Sequence, residues 1–362
     1  MAKIGDICEI LDSKRVPITA TERQPGPYPY YGANGFQDYV ADYIFDDELV
    51  LLAEDGGNFG SKDKPIAYRV SGKCWVNNHA HVLKPKEGLD VNYLCYSLMF
   101  YDVTGLVNGA TRQKLTQADM RKMEIPFPPL DEQRKIAAVL DKVSDLIVKR
   151  RQQLDKLDEL VKSRFIELFG DTPDNEKQTM ADICKIITDG THQPPKFTST
   201  GVPFLFVSNI VTNEIHYDAE KFISEETYAE LNKRTPIAIG DILLSTVGSY
   251  GHPAIVKSDK PFCFQRHIAY LKPNADMVNS EYLRSAILSA DVQRQIDERV
   301  KGIAQKTLNI SEIRKLRLPV PPVDQQEQFA VFVAQTDKSK YRQEKCIGFF
   351  QCLEKNIRQE WL

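Results

Sequence analysis

The sequence predicts an α+β protein in which two mixed α/β regions are separated by two long helices, arranged as a pseudo-two-fold internal repeat. Two observations carry this prediction: an ungapped repeat about half the chain apart, and an amphipathic helical pattern after each copy. One copy reads IPFPPLDEQRKIAAVLDKV and the other LPVPPVDQQEQFAVFVAQTDK. The predicted order along the chain is therefore globular region, helix, globular region, helix.

The repeat extends beyond these proline-rich stretches. Residues 109–133 align without gaps with residues 302–326 and share nine identities in 25 positions. HAHVLKP at 79–85 also resembles HIAYLKP at 267–273, and GDICEI near the N-terminus resembles ADICKI in the second half. The predicted boundaries are 1–130 for the first globular region, 131–170 for the first helix, 171–323 for the second globular region and 324–362 for the second helix.

Length and composition are those of an ordinary water-soluble protein. The 362 residues are 42% hydrophobic and 27% charged, with a formal charge of −3. This charge gives no sign of a nucleic-acid partner and counts mildly against one. Seven cysteines without a CxxC pair, no leader pattern and no long apolar run predict a cytoplasmic protein without a membrane segment.

The first helix is predicted to start at Asp131, which follows a proline turn and suits an N-cap, and to end at Gly170. Apolar residues recur with heptad spacing over more than four heptads, which is typical of a coiled-coil seam. A long core helix is the alternative, although charged residues leave only a narrow apolar stripe. The predicted seam residues are Ile136, Leu140, Val143, Ile147, Leu154, Leu157, Val161 and Leu168.

The second helix is predicted to start at Asp324 and has a weaker seam. Polar residues interrupt it at Thr336, Lys340 and Gln343, and a shifted stripe then runs from Leu353 through Ile357 to Trp361. We expect the two helices to pair antiparallel within the chain; pairing with a second copy is the alternative. The predicted seam residues of this helix are Phe329, Val333, Ile347 and Phe350.

Short strands and helices are predicted within the globular regions from apolar and β-branched runs. The predicted strands are Leu49–Ala53, Trp75–Leu83, Phe204–Val207, Asp241–Ser245 and His267–Leu271. The predicted helices are Val91–Tyr101 and Ser280–Ala290.

Motifs that would indicate catalysis prove weak on inspection. The sequence PDNEK at 173–177 is too compact for a nuclease site, and the glycine-rich residues 54–60 lack the lysine of a phosphate loop and are interpreted as a turn. His79 and His81 have a spacing that suits zinc, but the second copy keeps only His267, so a structural role is favoured. We expect no catalytic residue and no metal site in this chain.

The two proline-helix copies, with the strings GATRQKL, ITDGTHQPPKF and GVPFLFVSNI, resemble specificity (S) subunits of Type I restriction-modification systems. The resemblance covers essentially the whole chain. It implies that the globular regions are target recognition domains, each reading half of a split, asymmetric site on double-stranded DNA. It also implies that the helices form an antiparallel coiled coil that sets the spacer between the half-sites.

The resemblance further implies partners in place of catalysis by this chain. Two methyltransferase (M) subunits would dock on the helices, bind S-adenosylmethionine and methylate adenine. Two restriction (R) subunits would add cleavage that uses ATP and Mg. The chain itself would bind no cofactor and would not be an enzyme. The alternative is a non-enzymatic two-domain scaffold protein whose helices act as a dimerisation rod.

Base reading needs paired donors and acceptors, such as Arg for guanine and Asn or Gln for adenine. The loop before each proline turn contains such residues, although a solvated loop is the alternative. The first recognition loop contains Thr111, Arg112, Gln113 and Lys114, and the second contains Gln305, Lys306 and Thr307.

Other polar residues are candidates on weaker grounds, with turn formation as the alternative. In the second region, segments that resemble the family contain Thr188, Asp189, Thr191, His192, Ser208 and Asn209. In the first region the weaker candidates are Tyr30, Tyr31, Asn34 and Lys62. The repeated residues Arg121, Lys122, Arg314 and Lys315 suit phosphate contacts or scaffold packing better than base reading.

Overall fold

The computed structural model describes residues 1–109, 113–170, 172–302 and 305–362, which form two compact units. Unit 1 contains Met1–Gln152 and Glu344–Leu362, and unit 2 contains Gln153–Gln343. Each unit therefore combines one globular region with a part of both long helices.

Unit 1 is built on a mixed sheet covered by short helices. Its strands are β1 (Ala2–Lys3), β2 (Cys8–Ile10), β3 (Tyr28–Gly32), β4 (Gly35–Val40), β5 (Phe45–Ala53), β6 (Ala67–Val76), β7 (Ala80–Pro85), β8 (Val107–Asn108), β9 (Lys114–Leu115) and β10 (Glu124–Ile125). Its helices are α1 (Ile4–Ile7), α2 (Val91–Met99), α3 (Gln117–Met120) and the first part of α4 (Leu130–Phe169). The main sheet has six strands in the order β2-β7-β5-β6-β3-β4.

The central strand β5 is buried on both faces. Its sequence LVLLA has no polar alternation, and Leu49 through Leu52 are completely inaccessible to solvent. Val50 and Leu52 belong to the core that α2 and the long helices cover, whereas Leu49 and Leu51 belong to a separate core on the other face. The two-residue period of a strand explains this division.

Unit 2 repeats the topology with shorter strands. Its strands are β11 (Gln178–Thr179), β12 (Cys184–Asp189), β13 (Val202–Leu205), β14 (Phe222–Ile223), β15 (Ile242–Ser245), β16 (Pro253–Ile255), β17 (Cys263–Phe264), β18 (Ile268–Pro273) and β19 (Arg317–Leu318). Its helices are α5 (Met180–Ile183), α6 (Glu225–Leu231), α7 (Ser280–Ile287), α8 (Ala290–Arg299), α9 (Ile310–Ile313) and the first part of α10 (Val323–Trp361).

The sheets of the two units have matching strand orders. The order β12-β18-β15-β16 matches β2-β7-β5-β6, and β13 runs parallel to β17 as β3 runs parallel to β6. The main difference is that the long strand β6 is replaced by two short strands, β16 and β17. The internal repeat predicted from the sequence is therefore a repeat of topology as well.

Some predicted elements are wrong in extent. Trp75–Leu83 is not one strand: a turn separates β6 from β7, and within it the Asn77 side chain accepts a hydrogen bond from the His79 amide at 2.8 Å. Phe204–Val207 ends early, because Val207 begins a 3-10 turn. Helix α8 was not predicted; the Ser289 hydroxyl caps it by accepting from the Val292 amide.

The long helices α4 and α10 pair antiparallel within the chain. In unit 1 the first part of α4 shares a core with the last part of α10, and in unit 2 the rest of α4 packs with the first part of α10. The predicted N-cap residues are wrong by two residues, because α4 already begins at Leu130 and α10 at Val323. Asp131 and Asp324 lie in the first turn, where a carboxylate stabilises the helix dipole. In the described part of the chain, none of the helices combines the length and apolarity needed to cross a membrane.

The predicted seam holds in the first half of α4 and shifts in the second. The residues Ile136, Leu140, Val143 and Ile147 are buried, as are Phe329 and Val333 on α10. The prediction of Leu168 as a seam residue is wrong, since Leu168 is 41% exposed. Phe165 and Phe169 are buried instead and contact Phe329 edge to face. A strict heptad drifts by about 20° per repeat relative to a helix of 3.6 residues per turn, so the buried stripe moves by one residue. Trp361 also lies outside its predicted stripe, with 41% exposure.

A buried glutamine has the same role in both copies of the proline-rich stretch. In unit 1 the Gln133 side chain accepts from the Asp90 amide at 2.9 Å and donates to the Gly88 and Pro128 carbonyls at 3.0 and 2.8 Å. Both Gln133 and its repeat partner Gln326 are fully buried. We name each arrangement a glutamine clamp, because it fastens the start of a long helix to the loop before a short one.

Unit 2 contains the same glutamine clamp. The Gln326 side chain accepts from the Asn279 amide at 2.8 Å and donates to the Met277 and Pro321 carbonyls at 3.0 and 2.7 Å. Asp90 and Asn279 in turn cap the helices α2 and α7. The repeated residues thus form a scaffold that is common to the two units.

Candidate nucleic-acid interface

Each recognition loop packs against the turn that follows the central strand of its unit. In unit 1 the Leu115 amide donates to the Glu54 carbonyl at 2.7 Å, and the Gly56 amide donates to the Gln113 carbonyl at 3.3 Å. Gly56 has a φ of +61°, which favours glycine there. The interpretation of residues 54–60 as a turn is confirmed, and this turn supports the first recognition loop.

Unit 2 has the equivalent pair of hydrogen bonds. The Leu308 amide donates to the Thr246 carbonyl at 2.8 Å, and the Gly248 amide donates to the Lys306 carbonyl at 3.1 Å. Gly248 also has a positive φ, of +72°. The two loops therefore occupy the same place in the repeated topology, as their sequence alignment predicts.

The side chains of the recognition loops are mostly exposed. Gln113, Lys114, Gln305 and Lys306 are exposed and Thr307 is half-buried. Thr111 and Arg112 lie outside the described residues. Exposure is what base reading requires, and the assignment of these residues to DNA stays a prediction.

A buried polar network lies beneath the first recognition loop. Glu54 accepts from Arg15 at 2.5 Å, and its other carboxylate oxygen lies 3.0 Å from the Lys114 ammonium. His81 is fully buried, with Nδ1 2.7 Å from Asp12 Oδ2 and Nε2 3.0 Å from the Leu115 carbonyl oxygen. We name these five side chains the Glu54 network; they join the loop to strand β7 and to the segments that follow β2 and β5.

Opposite charges and hydrogen bonds keep the acids of the Glu54 network ionised. Burial raises the pKa of Asp12, but the hydrogen bond and charge of His81, with hydrogen bonds from the Val82 amide and Gln117, together outweigh this effect, so the pKa lies below its ordinary value. Burial likewise raises the pKa of Glu54, and hydrogen bonds from Arg15 and Lys114 reverse the shift. Both carboxylates are therefore anionic near neutral pH.

Three members of the Glu54 network have the spacing of metal ligands. One ligand atom each from Asp12, Glu54 and His81 lies within 4.8 Å of the others. However, Glu54 already binds two cationic side chains, and both nitrogens of His81 have partners. The donor set therefore fits an ion-pair network better than a metal site, and His81 takes the structural role that the sequence favoured.

Among the described residues of unit 2, the Glu54 network has no direct counterpart. Alignment of the repeats places Thr188, Thr246 and Ala269 where unit 1 has Asp12, Glu54 and His81. In unit 2 the predicted residues Asp189 and His192 come together instead, with their side chains 2.8 Å apart. Arg234, which was not predicted, donates to the same carboxylate at 2.6 Å.

Two other predicted residues of unit 2 hold their own loops. The Asn209 side chain accepts from the Phe206 amide at 2.9 Å and donates to the His216 and Asp218 carbonyls. The Thr191 hydroxyl donates to the Gln193 carbonyl at 3.0 Å. Both side chains thus form hydrogen bonds to the backbone of their own loops, as turn-forming residues do. Ser208 is exposed.

The weaker candidates of unit 1 separate into buried and exposed residues. Tyr30 is only 1% exposed and its hydroxyl donates to the Ile18 carbonyl, so the prediction of a DNA contact there is wrong. Asn34 is exposed and donates to the Gly56 carbonyl at 3.0 Å, which brings it beside the first recognition loop. Lys62 is exposed and Tyr31 is half-buried.

The repeated basic residues serve the scaffold through their backbone atoms. The Arg121 carbonyl accepts from the Gly5 amide, and the Arg314 carbonyl accepts from the Ala181 amide, each at 3.1 Å. The Arg314 side chain also donates to the Ile187 carbonyl. Lys122 and Lys315 are exposed and pair with the acids Asp119 and Glu312.

Sequence reasoning missed Asp12, Arg15 and Glu54. The repeat comparison shows that Asp12 and His81 are both replaced in the second copy, by Thr188 and Ala269, but most positions of the two copies differ. Nothing in the sequence linked Arg15 to Glu54, which lies 39 residues away.

The family model for the Type I restriction modification DNA specificity domain matches this chain twice, over residues 1–158 and 173–346. The chain belongs to this family. Its two specificity domains correspond to the two halves of the internal repeat.

Relatives of the same kind align along most of the chain. A Haemophilus influenzae protein assigned as a type I restriction enzyme specificity subunit is 28% identical over 89% of this chain and 83% of its own length. The type I restriction enzyme MjaVIII specificity subunit of Methanocaldococcus jannaschii is 21% identical over 91% of this chain and 84% of its own.

A solved structure has the same fold. The S subunit of a Type-I restriction-modification system from M. genitalium superposes with a TM-score of 0.59 at 14% identity, covering 99% of this chain and 95% of that one. The specificity-domain fold therefore extends across both units of the chain.

Proposed function

We propose that this chain is the DNA specificity subunit of a Type I restriction-modification complex. Each unit reads one half of a bipartite, asymmetric site on double-stranded DNA. The observation that carries this proposal is a common scaffold with different polar surfaces: both units support a recognition loop on the same glycine turn, yet the side chains around the two loops differ. One scaffold with two surfaces suits two half-sites of different sequence.

The chain contributes recognition and its partners contribute chemistry. Specificity subunits are not themselves catalysts. In this proposal two M subunits dock on α4 and α10, bind S-adenosylmethionine and methylate adenine within the recognised site. Two R subunits add cleavage that depends on ATP and Mg. The complex works in the cytoplasm, where the DNA is.

Net charge supports the need for partners. DNA binding gains much of its affinity when Lys and Arg neutralise phosphates, but this chain has a formal charge of −3. We therefore expect the isolated chain to bind DNA weakly. Partner subunits that close around the duplex would supply the missing positive charge.

Methylation sequencing of cells that express the chain with its M subunits tests the proposal. We expect methylated adenines in one split motif with a fixed spacer, and loss of every such mark when the gene for this chain is deleted. The competing function, a scaffold that does not touch DNA, predicts the same methylation pattern with and without the gene. Methyl transfer by the purified chain alone would contradict the division of labour.

A further inference from the structure

Lys114 is partly exposed, but its ammonium group is bound to the nearly buried Glu54 carboxylate of the Glu54 network. The Lys114 side chain is 51% exposed, whereas those of Glu54 and Arg15 are 11% and 12% exposed. Arg15 is fixed in turn by bonds to the Asp12 and Ala80 carbonyls at 3.0 and 2.8 Å. Glu54 and Arg15, whose side chains are nearly buried and bonded, thus restrict the position of the Lys114 ammonium group.

This anchor leaves part of the ammonium group available. An ammonium has three N–H donors, so one directed at Glu54 leaves two. Two donors suit the O6 and N7 acceptors that guanine presents in the major groove. The geometry of Lys114 therefore suits the reading of a base edge.

The same anchor reduces the lysine's attraction to the DNA backbone. In the Glu54 network the Lys114 ammonium is paired directly with the Glu54 carboxylate. A lysine paired with a nearby acid adds less to general phosphate binding than an unpaired one. Lys114 is consequently suited to specificity more than to non-specific affinity.

Lys306 in the second recognition loop is the contrast. Its ammonium lies 6.0 Å from the centre of the Tyr250 ring, and none of the ion pairs found among the described residues includes it. Its charge is therefore not offset by a bonded acid. An exposed, unbalanced lysine suits a phosphate contact, which carries no sequence information.

We propose that Glu54 is a positioning residue that makes Lys114 a reader of a guanine edge in the first half-site, whereas Lys306 binds phosphate. This inference rests on the proposed function. It assigns different tasks to two lysines that sequence alone places in matching loops.

Binding of duplexes by the reconstituted complex of this chain with its M subunits provides the test. Three duplexes are compared over a series of salt concentrations: the full site, a site with the first half substituted, and one with the second half substituted. For Glu54→Gln we expect discrimination at the first half-site to fall about tenfold. Non-specific binding should become stronger and more salt-dependent by about one unit of slope, because Lys114 regains its full charge.

Matched variants of the two lysines sharpen the test. Lys114→Gln should lose the same discrimination with little change in salt slope. Lys306→Gln should lower the slope by about one and leave discrimination at both half-sites intact. In the double variant Glu54→Gln/Lys114→Gln, we expect no further loss of discrimination beyond that of Lys114→Gln. Hydrogen exchange of α2 in each Glu54 and Lys114 variant shows whether unit 1 is folded.

Three outcomes overturn the inference. Glu54→Gln that weakens binding to all duplexes equally would make Glu54 a purely structural residue. Lys114→Gln that lowers the salt slope by about one without loss of specificity would make Lys114 a phosphate contact; this exposed substitution decides the matter if the buried variant does not fold. A wild-type complex that discriminates neither half-site overturns the proposed function itself, and the inference with it.

Discussion

Units 1 and 2 share the hydrogen bonds to main-chain atoms that hold the scaffold. They differ in the side chains that lie beside the recognition loops. In both units a buried glutamine fixes the start of a long helix, and the Tyr93 and Tyr282 hydroxyls donate to the Pro126 and Pro319 carbonyls. The Glu54 network, by contrast, is not repeated among the described residues of unit 2, because Thr246 and Ala269 stand at two of its positions. The comparison teaches that the repeat preserves a scaffold while the surface it supports diverges.

The largest expected effect comes from removing Glu344–Leu362, since this segment completes the core of unit 1 and no part of unit 2. Ile357 is buried there, and Arg358 donates to the Tyr96 carbonyl at 2.8 Å. We expect unit 1 to lose on the order of 5 kcal/mol or more, enough to unfold it. Hydrogen exchange, followed separately for each unit, measures the loss.

Trp361→Ala is the control for this truncation, because Trp361 is 41% exposed. We expect it to cost less than about 1 kcal/mol. Full protection of unit 1 in the longer truncation would show that α10 is dispensable to it.

A pair of neighbouring residues in α4 tests the corrected seam register of unit 2. Phe169→Ala removes a buried ring that contacts Tyr282 and Phe329, and should cost ~3–5 kcal/mol. Leu168→Ala, at an exposed position, should change stability by less than about 0.5 kcal/mol. Urea denaturation of the two variants measures both values. Equal losses of stability in the two variants would support the strict heptad seam instead.

The glutamine clamp predicts matching effects in the two units. Gln133→Leu and Gln326→Leu each leave one backbone amide and two carbonyls without their partner. We expect each substitution to destabilise its own unit by ~2–4 kcal/mol. Hydrogen exchange of the short helices α2 and α7 reports on each. A large loss in one unit with none in the other would mean that the clamp is not a shared device.

The scaffold could be predicted from the sequence because it occurs twice in the chain. Two copies of the proline turn, with Gln133 and Gln326 in register, indicate common architecture without any knowledge of contacts. The interface was less predictable, because its bonds join residues far apart, as Arg15 and Glu54 are. Exposure also depends on the packed fold: Tyr30 and Tyr31 are adjacent, yet only Tyr30 is fully buried. The prediction of Leu168 as a seam residue was wrong because the angular difference between a seven-residue repeat and the helix period accumulates along a long helix.

Acid should weaken unit 1 through the Glu54 network. The pKa values of Asp12 and Glu54 are lower in the folded protein than their ordinary values of 3.8 and 4.5. Their stabilising effect is therefore complete above these ordinary values and disappears as the pH falls through the lower folded values. The variant Asp12→Asn/Glu54→Gln should flatten the acid side of the stability profile of unit 1 by about 1 kcal/mol.

Denaturation of each unit between neutral and acid pH measures this difference. The stability profile of unit 2 should not change in the variant, since Thr188 and Thr246 take the corresponding places. A variant that keeps the wild-type acid profile of unit 1 would mean that the two carboxylates do not couple folding to pH.

The central claim is that the two units read separate half-sites, and methylation sequencing of two loop variants tests it most directly. One variant carries Gln113→Ala and Lys114→Ala, and the other carries Gln305→Ala and Thr307→Ala, each expressed with the M subunits. We predict that each variant relaxes the methylated motif at one half only, a different half in each case, with the other half and the spacer unchanged. Relaxation of both halves by either variant, or an intact motif in both, would contradict the claim.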